Sequence, residues 1–209
     1  MTQPKSPRRG RPPLSPTDIE AGKQRIAEAA RRLFYADGYG AVSMRRLAQE
    51  AEVTPKTLYS YFGSKNAILQ HIWSDFFSEL FDELDALARK RGSPGARLRA
   101  VALRYIDYWV AHPERYRMVF MAEGVSQDDV GSYMNATSIL GRYQVFSTLL
   151  ADLAPDAPRI QHTDRLNALI CALNGIAHNT VTISGHNWGK PKILLEILLT
   201  GITHVPPHA

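Results

Sequence analysis

The chain has 209 residues, 44% of them hydrophobic, enough for a small binding domain and a larger helical core. One cysteine, Cys171, excludes an intrachain disulfide and fits a reducing cytoplasm; no apolar run approaches a membrane span, and none follows the basic N-terminus as a signal peptide would require. Charge is lopsided: residues 1–65 hold 12 Lys and Arg against 6 Asp and Glu, while the remainder holds 13 against 14. One basic end on an otherwise balanced chain points to a single anion-binding surface rather than general stickiness.

Residues 1–15 hold four prolines and almost no apolar side chains, and they read as a disordered basic arm. Within it Arg9-Gly10-Arg11-Pro12 resembles the AT-hook core, an extended arginine pair drawn to the negative potential of a narrow minor groove. The alternative is a solvated tail with only nonspecific attraction. Ser15-Pro16-Thr17-Asp18 then opens a first helix with a capping hydroxyl, a proline at the first position and an acid in the first turn. Ile19, Ile26, Ala29, Ala30, Leu33 and Phe34 form its apolar stripe, and Gly38 suits its C-terminal cap.

Val42 to Lys65 predicts two short helices joined by a tight turn. Ser43 caps the first, with Met44, Leu47, Ala48 and Ala51 on one face and Arg45, Arg46, Gln49 and Glu50 on the other. Ala51-Glu52-Val53 is the turn; Thr54 caps the second helix and Pro55 sits at its first position. Leu58 and Phe62, four apart, point inward. Lys56, Thr57 and Ser60 lie opposite, flanked by Tyr59 and Tyr61. Small hydrogen-bonding side chains toward base edges, with longer ones toward phosphates on either rim, are what a major groove requires. Ser64 caps a third helix that places the Lys65 ammonium and free amides where a phosphate could sit.

The run from Ile26 to Leu69 resembles the DNA-binding domain of the tetracycline-repressor (TetR) family of bacterial regulators. The resemblance rests on Ile26, Ala29, Ala30, Leu33-Phe34, Gly38, Ser43, Leu47-Ala48, Ala51, Val53-Thr54, Thr57-Leu58-Tyr59, Tyr61-Phe62, Lys65 and Leu69. Glu52 departs from the pattern, which commonly has glycine in the turn; a left-handed Glu52 would be strained by roughly 1–2 kcal/mol. The resemblance implies an all-α fold: a three-helix DNA-binding domain over 16–65, continuing into a helix over 64–91, and a helical effector-binding and dimerisation domain over 66–204.

The helix over 64–91 carries Leu69, Ile72, Trp73, Phe76, Phe77, Leu80, Leu84 and Leu87, a band too broad for a surface helix. After Gly92-Ser93-Pro94-Gly95 a helix follows with Leu98, Val101, Ala102, Tyr105, Ile106 and Trp109 inward. His112-Pro113 opens a shorter one, and Ser126 to Asp129 begins a long one to about Leu153. Thr163-Asp164 opens another to Ser184-Gly185, and Pro191 a last one. No strand-like alternation occurs.

One recognition helix reads few bases, so such proteins usually act as dimers. The helices over 127–153 and 164–184 are the candidates, because Gly141 and Gly175 sit mid-helix, where close approach of a partner would offset roughly 1 kcal/mol. Val145, Leu149, Leu169, Leu173 and Ile176 complete the expected interface, and family members commonly dimerise through a four-helix bundle. Trp73, Phe77, Tyr105, Trp109, Met118, Met121 and Tyr133, with His178 as a polar handle, fit an adaptable apolar pocket; filled core is the alternative. Family members often bind a small molecule between these helices. Ala111 to Phe120 also resembles a C-terminal domain found in a subset of these regulators. That subset often carries Trp…His-Gly, where this chain has Leu173-Asn174-Gly175.

The reading is a cytoplasmic, homodimeric repressor that binds a palindromic double-stranded DNA operator and is released by a small, largely apolar effector. Arg9 and Arg11 would reach the minor groove, Lys56, Thr57 and Ser60 the bases, and Ser43, Arg45, Thr54, Tyr59, Tyr61 and Lys65 the phosphates. An activator of the same fold and an architectural DNA-binding protein without effector are the alternatives. No nucleophile–base pair or phosphate loop points to catalysis, and no cofactor is implied. The histidine pairs, His178 with His186 and His204 with His208, lack further ligands at metal spacing.

Overall fold

Hydroxyl caps set where the first helices begin. In the computed structural model, which describes residues 15–125, 133, 139–155, 158–183 and 185–203, all regular structure is helical. Ser15 Oγ accepts from the Asp18 amide (3.1 Å) while the Asp18 carboxylate takes the Ser15 amide (3.3 Å), closing a reciprocal cap on α1 (Pro16–Asp37). Ser43, Thr54, Ser64 and Ser93 likewise accept the third amide of α2 (Met44–Glu50), α3 (Pro55–Tyr61), α4 (Lys65–Ala88) and α5 (Pro94–Ala111). Each such cap stabilises its helix by about 1 kcal/mol. Then come α6 (Pro113–Phe120), α7 (Ile139–Arg142), α8 (Gln144–Leu153), α9 (Arg159–Thr182) and α10 (Pro191–Thr203).

The first three helices make a head on one end of α4. Ile26, Ala30, Leu47, Ala48 and Leu58 are all but fully buried between them and Ile68, Leu69 and Ile72 of α4. That helix, about 36 Å long at 1.5 Å per residue, begins under the head and ends against α5 and α8. The second core forms around α5, which packs against α4, α8, α9 and α10. Its Leu98, Val101, Ala102, Tyr105, Ile106 and Trp109, the predicted inward set, are each at most 1% exposed.

Head and core are also joined through Phe76, a buried ring on α4. Arg31 from α1 lies 5.1 Å from its centroid and Arg115 from α6 lies 4.9 Å away. Arg31 reaches Asp75 (3.4 Å), and Arg115 donates to both oxygens of Glu79 (2.9 Å each) and to the Tyr108 hydroxyl (2.7 Å).

Some boundaries differ from expectation. The fourth helix stops at Ala88 rather than Arg91, with the Arg89 amide returning to Asp85 and Leu87 carbonyls. The ninth starts at Arg159, a turn before Thr163, because Pro158 (φ −58°) already supplies the entry conformation. Of the long helix expected over 127–153, residues 126–132 and 134–138 lie outside the described residues; the rest is α7 and α8, separated at Tyr143, whose ring turns in against Phe81 (4.9 Å). Ile19 overhangs the core at 38% exposure instead of entering it.

Candidate nucleic-acid interface

Backbone hydrogen bonds fix the angle between α2 and α3. The Ala51 amide donates to the Leu47 carbonyl and the Val53 amide to the Ala48 carbonyl, both at 2.9 Å, so the chain reverses within three residues. Glu52 pivots there at φ 53°, the only non-glycine positive φ among the described residues. Its Cβ strains that conformation by roughly 1–2 kcal/mol.

Behind the turn, Leu58 (0% exposed) and Phe62 (5%) anchor α3 to the head. Burying a side chain of this size contributes about 1.5–3 kcal/mol. The opposite side of α3 stays open: Thr54, Lys56, Tyr59 and Ser60 are exposed and Thr57 is half-buried. Thr54 Oγ1 accepts from the Thr57 amide (3.1 Å) and shares a hydrogen bond with the Thr57 hydroxyl (2.8 Å). Ser60 Oγ donates to the Thr57 carbonyl (2.6 Å), which leaves its lone pairs outward to accept from a base amino group.

On α2, Ser43 Oγ accepts the Arg46 amide (3.3 Å). The adjacent arginines divide their work. Arg46 pairs with Asp37 at the end of α1 (2.7 Å), whereas Arg45 is exposed with no ion pair among the described residues. Glu50 is held by Arg32 (3.2 Å), which removes a carboxylate from the approach of a phosphate.

Two expected phosphate ligands are used inside the protein. Lys65 Nζ donates to the carbonyls of Tyr39 (2.7 Å) and Val42 (2.9 Å) and sits 4.2 Å from the Tyr39 ring centroid. Partial burial draws its pKa down, and those carbonyls and the ring compensate the ammonium. Lys65 therefore clamps the α1–α2 loop instead of reaching DNA. Tyr61 is half-buried with its phenol against α1 at Gly22, where an added Cβ would come within 2.5 Å of the ring. A glycine inside a helix, Gly22, is the sequence sign of that contact. Arg9 and Arg11 lie outside the described residues.

The pattern of "Bacterial regulatory proteins, tetR family" matches residues 26–72, the same helices that build this surface. Residues 26–72 carry the TetR-family DNA-binding domain. The chain is 27% identical over 155 residues to the HTH-type transcriptional regulator UidR of Escherichia coli K12, spanning 67% of this chain and 73% of that one. It is 31% identical over 107 residues to the HTH-type transcriptional repressor SCO4008 of Streptomyces coelicolor, about half of each chain. The fold also matches the transcriptional regulator FadR of Bacillus subtilis, solved in complex with stearoyl-CoA, with TM-score 0.70 over 87% of this chain and 97% of that one at 13% identity.

In the helical body behind this TetR-type domain the expected pocket residues are distributed differently. Trp73, Phe77, Tyr105, Trp109 and Tyr133 are 0–3% exposed and pack ring on ring, Trp73 on Tyr133 (5.1 Å) and Phe77 on Trp109 (5.8 Å). Their polar atoms are mostly engaged: Trp73 Nε1 donates to the Met118 carbonyl (3.1 Å), Tyr105 OH to Asn174 Oδ1 (2.7 Å), and the Tyr133 and Ser74 hydroxyls meet at 3.0 Å. They fill core. His178 is exposed on α9, its Nδ1 3.3 Å from the Tyr116 hydroxyl. Met118 and Met121 do line a cavity, of about 610 Å³, but between α1 and α6.

Several residues expected at the dimer interface are already covered within one chain. Leu149, Leu169 and Leu173 are at most 2% exposed within a single chain, while Val145 and Ile176 pack against the same core and stay partly exposed. A Cβ on Gly141 or Gly175 would touch nothing within 4 Å. The most exposed aliphatic side chains among the described residues are on α9 and α10, Ile160 (69%), Ile193 (56%) and Ile197 (68%), with Phe120 (41%) and Met121 (45%) outside at the end of α6. Among the described residues no group of three potential metal ligands converges, and no helix is long and apolar enough to cross a membrane.

Proposed function

We propose that this chain is a homodimeric DNA-binding transcriptional repressor of the TetR family. The observation that carries the reading is the open polar side of α3, with Thr54, Lys56 and Ser60 outward while Leu58 and Phe62 are held from behind. A helix this small, stiffened by its cap and backed by core, suits insertion into a major groove. Thr57 and Ser60 read base edges, and Lys56 reaches bases at the end of the helix. Ser43, Arg45, Thr54 and Tyr59 hold phosphates on either rim, and Arg9 and Arg11 enter the minor groove.

The dimer forms through α9 and α10, whose exposed isoleucines need a partner's apolar surface. Two heads then read the half-sites of a palindromic operator. An effector with an apolar body releases DNA by binding a head arrangement that does not fit both half-sites; the acyl-CoA in the FadR structure supports a ligand-responsive relative of this fold.

Binding to a panel of duplexes tests the division of roles. Thr57→Ala changes the ranking of sequences, by about 1–3 kcal/mol at the bases it reads. Arg45→Ala weakens all sequences alike and lowers the salt slope by about one. Identical behaviour of the two variants across operators would overturn the assignment, and a protein that ignores every duplex at low ionic strength would overturn the function.

A further inference from the structure

The cavity of about 610 Å³ has walls from both ends of the molecule. Phe34, Tyr35 and the loop from Gly38 to Ala41 form one side; α6 and its exit form the other. Its size is that of a drug-sized ligand site. Phe34, Tyr39, Met118 and Met121 offer apolar surface, two of them aromatic and two thioethers that adapt to a ring.

The charged lining is unbalanced: three carboxylates, Asp37, Glu114 and Glu123, face one guanidinium, Arg117. Asp37 is paired with Arg46 (2.7 Å), and Arg117 donates to the Val181 carbonyl on α9 (3.2 Å). Two glutamates remain on the α6 side. Glu114 meets only the His112 imidazole, at 3.8 Å, and Glu123 has no ion pair among the described residues. Tyr35, in the opposite wall, reports the field: burial first, and then the Glu114 carboxylate, push its phenol up to about 12 despite Arg31 and Arg115.

We propose that this cleft binds an organic monocation with an aromatic, apolar body, its charge between Glu114 and Glu123 and its rings against Met118 and Met121. The ligand touches α6 on one side and, on the other, the loop that leads into the Ser43 cap of the DNA-reading helices. Its affinity therefore depends on how far those walls stand apart. The consequence for DNA release, though not the binding itself, rests on the repressor reading above.

The test titrates the full chain, by calorimetry, with tetraphenylphosphonium and with tetraphenylborate, which share a shape and differ in sign. The expected result is phosphonium binding at least about tenfold tighter than borate, because a like charge facing the two glutamates is strongly disfavoured. Glu114→Gln combined with Glu123→Gln brings the two affinities together. Met121→Trp, at a residue 45% exposed and so safe for folding, fills the cleft and abolishes both. Equal affinity for the two ions in the unaltered chain, phosphonium binding untouched by these variants, or no binding of either ion would each overturn the site. Duplex binding measured on the same preparations without ligand separates the two readings. A chain that takes the phosphonium but ignores DNA defeats the repressor and leaves the cleft; the converse defeats the cleft alone.

Discussion

Replacing Lys65 by methionine keeps most of the aliphatic stem and deletes the ammonium. In the native chain that ammonium donates to two carbonyls, at 2.7 and 2.9 Å, and covers the face of Tyr39. Hydrogen bonds from a charged donor contribute about 1.5–3 kcal/mol each, and an accessible cation–π contact about 0.5–1. Water can reach part of the half-buried site and replace some of this, so the expected loss is about 2–3 kcal/mol. The loosened segment is the Tyr39–Val42 loop, just ahead of the Ser43 cap. Chemical denaturation followed by circular dichroism measures the loss, and fluorescence anisotropy at several salt concentrations measures DNA binding. Lys65→Met weakens DNA binding through disorder of the head while the salt slope stays within a few tenths of the native value. A stable Lys65→Met protein whose salt slope falls by about one would refute the clamp and return Lys65 to a phosphate.

Glu52→Gly relaxes a φ of 53° and, after glycine's entropic cost of about 0.5–1 kcal/mol, leaves the fold as stable or up to about 1 kcal/mol more so; a lower urea midpoint would contradict the strain. Gly22→Ala drives a Cβ to within 2.5 Å of the Tyr61 phenol and destabilises the head by about 1–3 kcal/mol; adding Tyr61→Leu recovers most of that, which thermal melts of the single and double variants check. Burial holds the Tyr108 and Tyr116 phenols neutral, with each pKa pushed up to about 12 from 10.0. A raised phenol pKa stabilises the fold fully below pH 10 and loses that contribution as pH climbs through about 12. Stability therefore falls across that alkaline window, in step with the tyrosinate absorbance band, and a flat profile would contradict it.

The caps were legible because they are local. Ser15, Ser43, Thr54 and Ser64 each act within three residues of themselves, so spacing alone locates them, and Ser93 caps in the same way. Leu58 and Phe62 were legible for the same reason, as a four-residue step on one helix. Lys65 was not, since its partners are 23 and 26 residues upstream and the loop carrying them has no pattern of its own. The aromatic cluster was ambiguous in principle: the composition that lines a cavity also fills one, and only packing puts Trp109 at 0% and Met121 at 45% exposure. Leu149, Leu169 and Leu173 satisfy helical periodicity against their own chain, which periodicity alone does not distinguish from a face kept for a partner. The surplus isoleucines on α9 and α10 stand out only once that inner face is covered.

Phe76 makes the joint between the two ends resist gradual change. Two cations lie over its ring, Arg31 from α1 and Arg115 from α6, and each is tethered to an acid on the ring's own helix, Asp75 or Glu79. Rocking α1 or α6 past this rivet by a fraction of its width breaks stacking and tether together and gains nothing until a new seat is reached. If the head and the helical body move relative to each other, as the proposed repressor requires, this joint favours a change in steps over a gradual one.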